Sequence, residues 1–196
     1  ALSDKQIKGF ELKVHWYHGE RALELGEFVE LAEQSGEVYL FTKQMIKQAF
    51  KVLFKLNRLG LHQPISVKLS SKDLLESDLI DYIELQMAKY NIDASYLLIE
   101  LTEQVIAQAG SRANSIISQL KSLKIGIVID DFSGSYESLR YMRKMSFDQV
   151  KIDCSQLTNS GENFADKAII NTLVNLTRAM KIPWLVRKST LILLNR

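Results

Sequence analysis

The chain has 196 residues, 46% of them hydrophobic and 24% charged, with a formal net charge of +2. These values exclude a disordered or fibrous chain, and the charge is too small to argue for nucleic-acid binding. One cysteine, Cys154, excludes an internal disulfide framework, and no apolar run approaches the ~20 residues that span a bilayer. With no signal-peptide pattern at its start, a soluble cytoplasmic module is expected.

In chain order, "IKGFELKVHW" (7–16) reads as a first strand, with Glu11, Lys13 and His15 alternating on one face. "GEFVELAEQ" (26–34) and "VYLFTKQMIKQAFKVLFKLNRLG" (38–60) read as helices; the second has apolar residues three and four apart and a stop at Gly60. "PISVKLS" (64–70) is a strand, and "SDLIDYIELQMAKYN" (77–91) a helix starting on a Ser77 cap. The strand "YLLIELTE" (96–103), the helix "SRANSIISQLKSLK" (111–124) and the strand "KIGIVIDDF" (124–132) follow. The strand "FDQVKID" (147–153), the helix "NFADKAIINTLVNLTRAMK" (163–181) and the strand "KIPWLVR" (181–187) complete the series. Short Ile-, Val- and Leu-rich strands alternating with helices predict a parallel sheet with helical crossovers.

Charge placement is the informative regularity. Nearly every strand carries an ionisable residue near its C-terminal end: Lys68, Glu100, Asp130 with Asp131, Lys151 and Arg187, with Glu11 in the first run. One such residue is an ordinary strand end meeting solvent. Six strands together favour a shared mouth, as at the C-terminal face of a (β/α) barrel. Collected carboxylates suit Mg²⁺, and a two-metal site can activate water for phosphodiester cleavage. Lys151 could then steady a water or a phosphate oxygen. Other residues read blandly. His15 and His18 lack a third ligand for zinc, Cys154 is a packed thiol, Met142 and Met145 are filler, and "KQAFKVLFKLNR" is a solvated helix face.

Several stretches together resemble the EAL domains of bacterial cyclic di-GMP signalling: "GFELKVHW" with "GEFVELAEQSG", "ISVKLS", "LLIELTEQ", "GIVIDDFSGSYESLRYMRKMSFDQVKID" and "AIINTLVNLTRAMKI". The resemblance implies a TIM-like (β/α) barrel, Mg²⁺ or Mn²⁺, and hydrolysis of cyclic di-GMP. By position, Glu11, Glu100, Asp130 and Asp131 match metal ligands, and Lys151 matches a lysine near the attacking water. Glu103 matches a residue that anchors a nearby loop, and the resemblance makes Lys151 and Glu103 the family-matched catalytic residues, expected to be inactive here. Phe132, Ser133, Gly134 and Ser135 fall in that loop, which in the family couples metal binding to dimerisation.

The departures decide the functional expectation. Lys68 stands where the family has a metal-binding Asn, Arg187 where it has a Glu, His15 where it has a phosphate-contacting Arg, and Lys13 where it has the signature Leu. Two family glycines are Ser133 and Ser135, and a glycine appears at 134, so the loop is expected to take another path. Four carboxylates face Lys68, Lys151 and Arg187, a formal −1 that cannot offset two divalent cations. Lys68 and Arg187 are therefore expected to pair with the orphaned carboxylates.

The expected fold is an incomplete barrel with about six strands over residues 1–187, short at the N-terminus, and a tail (188–196) unlike the family. A full barrel takes about 250 residues, so a fragment, a disturbed reading frame or a chimeric chain is expected. The expected function is that of a non-hydrolytic receptor or protein-interaction module, with Mg²⁺ or Mn²⁺ only if the family chemistry survives. Lys68, Arg187 and His15 would then hold ligand phosphate. Cyclic di-GMP, a protein partner or a second copy are the partners considered, with no nucleic acid and no membrane. The competing expectation is a weakly active metal-dependent phosphodiesterase.

Overall fold

The computed structural model describes residues 7–13, 16–18, 21–23, 32, 35–153, 164–188 and 191–195. Six parallel strands form a curled half-barrel in the order β1 (Phe10–Glu11), β4 (Ile65–Lys68), β5 (Leu97–Thr102), β6 (Gly126–Asp130), β7 (Gln149–Asp153) and β8 (Trp184–Lys188). Alternation along each strand divides the sheet into two faces. Ile65, Val67, Leu97, Ile99, Leu101, Ile127, Ile129, Val150 and Ile152 are buried in the common core beneath the helices. The intervening residues Ser66, Lys68, Glu100, Asp130 and Lys151 turn to the concave face. The register keeps the C-terminal ends level, with Lys68 opposite Glu100 and Thr102 opposite Asp130.

Helices α1 (Val38–Arg58) and α2 (Leu79–Tyr90) cover one side of this core. α1 ends where the sequence predicts, with Gly60 at φ 71° just beyond it. The Ser77 cap is corrected. α2 begins at Leu79 behind Asp78, which makes no side-chain cap. The Asp78 carboxylate is engaged elsewhere: it accepts the Tyr39 hydroxyl at 2.7 Å and lies 3.6 Å from the Lys43 ammonium. Tertiary partners have outcompeted the local cap.

The Tyr39 hydrogen bond holds Asp78 below the usual aspartate range, while burial, reinforced by Asp78, pushes Tyr39 above its ordinary value. A depressed carboxylate contributes stability above its unfolded pKa and loses it as pH falls through the folded value. An NMR titration should therefore find Asp78 low in the parent and restored upward in Tyr39→Phe. The stability gap between the two proteins should narrow as pH drops below the ordinary aspartate range.

Four further segments differ from the sequence expectation. The run 7–16 is not one strand: only Phe10–Glu11 join the sheet, while β2 (Trp16–His18) pairs antiparallel with β3 (Arg21–Leu23) as a separate hairpin. The four-residue β4 gives β1 little to pair with. The predicted strand 96–103 stops at Thr102, whose hydroxyl accepts from Val105 N and starts the short helix α3 (Glu103–Ala109). Beyond the predicted helix 111–124, observed as α4 (Ser111–Ser122), a helix not expected from the sequence, α5 (Tyr136–Lys144), is capped by Ser135. The helix predicted at 163–181 appears as α6 (Phe164–Ala179). The tail adds β9 (Leu191–Asn195), antiparallel to β8, because a two-residue connection cannot make a parallel crossover. The predicted helix 26–34 lies outside the described residues, save residue 32.

Candidate functional site

The site lies on the concave face at the C-terminal strand ends. Glu11 comes from β1, Lys68 from β4, Glu100 from β5, Asp130 from β6 and Lys151 from β7. Glu100, Asp130 and Lys151 are buried, so each ion needs a partner. Two lysines supply them, each reaching across an intervening strand. The Lys151 ammonium passes β6 to donate to Glu100, and also to Glu11 Oε2 at 3.0 Å. The Lys68 ammonium passes β5 to donate to Asp130 Oδ2 at 2.9 Å and lies 3.8 Å from Asp131 Oδ2. The pairing expected of Lys68 is thus observed. Lys13 adds a looser contact, 3.9 Å from Glu11 Oε1.

Burial pushes Glu100 above the ordinary glutamate value, with Lys151 drawing it back. For Lys151, burial pulls the value down, yet Glu100 and Glu11 together outweigh it and hold the ammonium above the ordinary lysine value. The asymmetry is physical. Lys151 faces two carboxylates, and Glu100 is the more deeply enclosed.

The loop after β6 is tied to the same cluster. Asp131 adopts φ 54°, Phe132 is buried, and Phe132 N donates to the Lys151 carbonyl at 3.0 Å. Glu103 accepts from Ser133 N at 2.9 Å and Ser133 Oγ at 2.7 Å, which ties the loop to the start of α3. Gly134 has φ 70°, and a Cβ there would clash with the Leu173 side chain. Ser133 and Ser135 have negative φ, so the left-handed turns fall on Asp131 and Gly134 instead. Ser133 as the partner of Glu103 was not foreseen. Its position in "DDFS" offered no sequence signal, because the contact joins residues thirty apart.

Below the Glu11–Lys151–Glu100 cluster, a cavity of about 140 Å³ opens between Phe10, Leu98 and Leu185. At the mouth, Lys68 and Asp131 keep 41% and 45% of their side chains exposed and could meet a ligand. Arg187 lies on β8 opposite Asp153 in register, but the course of its side chain, like His15 and Cys154 altogether, lies outside the described residues.

As arranged, the donors do not fit a two-metal centre. Among the described residues, no group of three or more His, Cys, Asp or Glu side chains converges to hold a metal ion. A lysine ammonium bridges each carboxylate pair instead. What the arrangement offers a ligand is an exposed ammonium. Lys68 has three N–H donors, and a phosphate oxygen can take one that Asp130 does not use. No described helix is long and apolar enough to cross a membrane.

The sequence profile of the EAL domain matches residues 1–187. The bifunctional diguanylate cyclase/cyclic di-GMP phosphodiesterase MucR of Pseudomonas aeruginosa is 27% identical over 89% of this chain and 26% of its own length. The cyclic di-GMP phosphodiesterase PdeB of Shewanella oneidensis is 29% identical over 83% of this chain and 19% of its own. The chain therefore spans about a quarter or less of these relatives. Among solved structures, a MucR phosphodiesterase complex with cyclic di-GMP superposes with a TM-score of 0.83 at 26% identity, covering 92% of this chain and 74% of that one. The EAL enzyme Bd1971, with cAMP and cyclic di-GMP bound, gives 0.85 at 25% identity, covering 94% and 52%.

Proposed function

The chain belongs to the EAL domain family, and from that membership we propose that it binds cyclic di-GMP without hydrolysing it, as a receptor module of the bacterial cytoplasm. One observation carries the proposal: Lys151 and Lys68 already neutralise the carboxylates that would otherwise hold metal. The four carboxylates and two lysines leave a formal −2, which is too little negative charge to hold two divalent cations beside two ammoniums. Without a metal-activated water, in-line attack on the phosphodiester lacks its nucleophile.

Binding has its own logic. Lys68, at the mouth, offers a charge-assisted hydrogen bond to a phosphate oxygen, and the backbone of Arg187 lies on β8, beside the strand that carries Lys151. Glu103 fixes the loop Phe132–Ser135 beside them. The bound states of the MucR and Bd1971 structures support cyclic di-GMP as the ligand class.

Calorimetry with cyclic di-GMP in the presence of a chelator should show saturable binding. Lys68→Met should weaken it about 10- to 100-fold, the worth of a hydrogen bond to a charged group. Chromatography after incubation with Mg²⁺ or Mn²⁺ should recover the cyclic dinucleotide intact. Turnover to the linear dinucleotide would overturn the receptor reading in favour of a weakly active phosphodiesterase. Absence of binding at high micromolar ligand would leave a protein partner, or a second copy, as the target.

A further inference from the structure

We infer that Lys68 is a tethered counter-ion that excludes divalent cations from the Asp130–Asp131 pair, so that one residue sets the ion preference of this site. The argument begins with Asp130, which is 1% exposed and paired with a lysine. Its neighbour Asp131 has a left-handed backbone at φ 54°. The Lys68 ammonium lies 2.9 Å from one carboxylate and 3.8 Å from the other, so it stands where a cation bridging the two would stand.

The tether decides the competition. Lys68 leaves β4 at a residue paired in register with Glu100 and reaches over β5 to Asp130, and only a four-carbon stem separates backbone from charge. Such a group competes at a high effective concentration, whereas a dissolved ion competes at its bulk value. An incoming divalent cation must also break a charge-assisted hydrogen bond and meet a like charge that can retreat only as far as its stem allows. Lys151 adds a second positive charge on the same face. The inference rests on the lysine pairing that also carries the non-hydrolytic reading, but its test uses the metal alone, so a failure to bind cyclic di-GMP would leave it standing.

The probe is Mn²⁺, followed by electron paramagnetic resonance of the free ion at about neutral pH. The parent and Lys68→Arg, which keeps the charge, should both show no saturable binding up to millimolar ion. Lys68→Asn, which replaces the charge with a neutral oxygen donor, should gain at least about tenfold in affinity. Asp131→Asn placed on that variant should abolish the gain. Saturable Mn²⁺ binding by the parent that Asp131→Asn removes would overturn the inference. So would a folded Lys68→Asn protein as silent as the parent. Should Lys68→Asn not fold alone, the parent titration still decides the matter. Recovery of the variant's cooperative melting by added Mn²⁺ would count in favour.

Discussion

Lys151→Met is expected to lower stability by about 3–5 kcal/mol, the cost of leaving a buried ion without its partner. Glu100 is 0% exposed and depends on Lys151 for its counter-charge. Removing the ammonium forces it either to stay ionised in a low-dielectric site or to take up a proton. Methionine fills most of the lysine stem's volume, so the loss reports charge rather than a void. The double variant Lys151→Met with Glu100→Gln should recover much of the deficit, because it removes the orphaned charge as well. Denaturant melts of the parent, both single variants and the double variant form a cycle that isolates the coupling. Additive single effects would contradict the pairing seen in the structure.

A comparable loss, about 3–5 kcal/mol, is expected for Phe50→Ala by a different mechanism. Phe50 is fully enclosed on α1 and stacks on Tyr90 of α2, with ring centroids 6.5 Å apart and planes 9° from parallel. Truncation removes apolar contact and leaves a void between two helices that a curled sheet holds apart. The two variants should separate cleanly. Phe50→Ala is not rescued by any change at Glu100, and under strongly native conditions it should bind cyclic di-GMP as the parent does. Lys151→Met changes the floor of the site itself. If Phe50→Ala altered the dinucleotide affinity at full folding, the helical layer and the concave face would be more tightly coupled than their separation implies.

The concave charges were legible before the fold was known because they end strands, and a strand end has a fixed place in a parallel sheet. Lys68, Glu100, Asp130 and Lys151 all fall between or just after apolar residues in the C-terminal part of a strand run. That Lys68 would pair with some carboxylate could be expected from charge arithmetic, but not which one. The partner of Lys151 could not be expected. A lysine beside an expected water-binding position reads as a catalytic group. Only the curl of the sheet brings it across β6 to Glu100 and across the cavity to Glu11.

Local signals failed where long-range partners competed. Asp78 is a good cap by residue type but serves Tyr39 and Lys43, thirty or more residues away in sequence. The first run alternates as one strand would, yet its sheet partner is short, and Trp16 pairs with Leu23 instead. The tail "LILLN" matched no expected element and becomes β9 because β8 offers it a free edge.

By itself, then, the sequence determined the alternation of strands and helices, the parallel topology and which side chains end the strands. Those properties depend on residue periodicity within a few positions. The tertiary structure alone decided which cation neutralises which carboxylate, because that depends on sheet curvature. A difference of one strand in reach separates a bare carboxylate from one closed by a lysine.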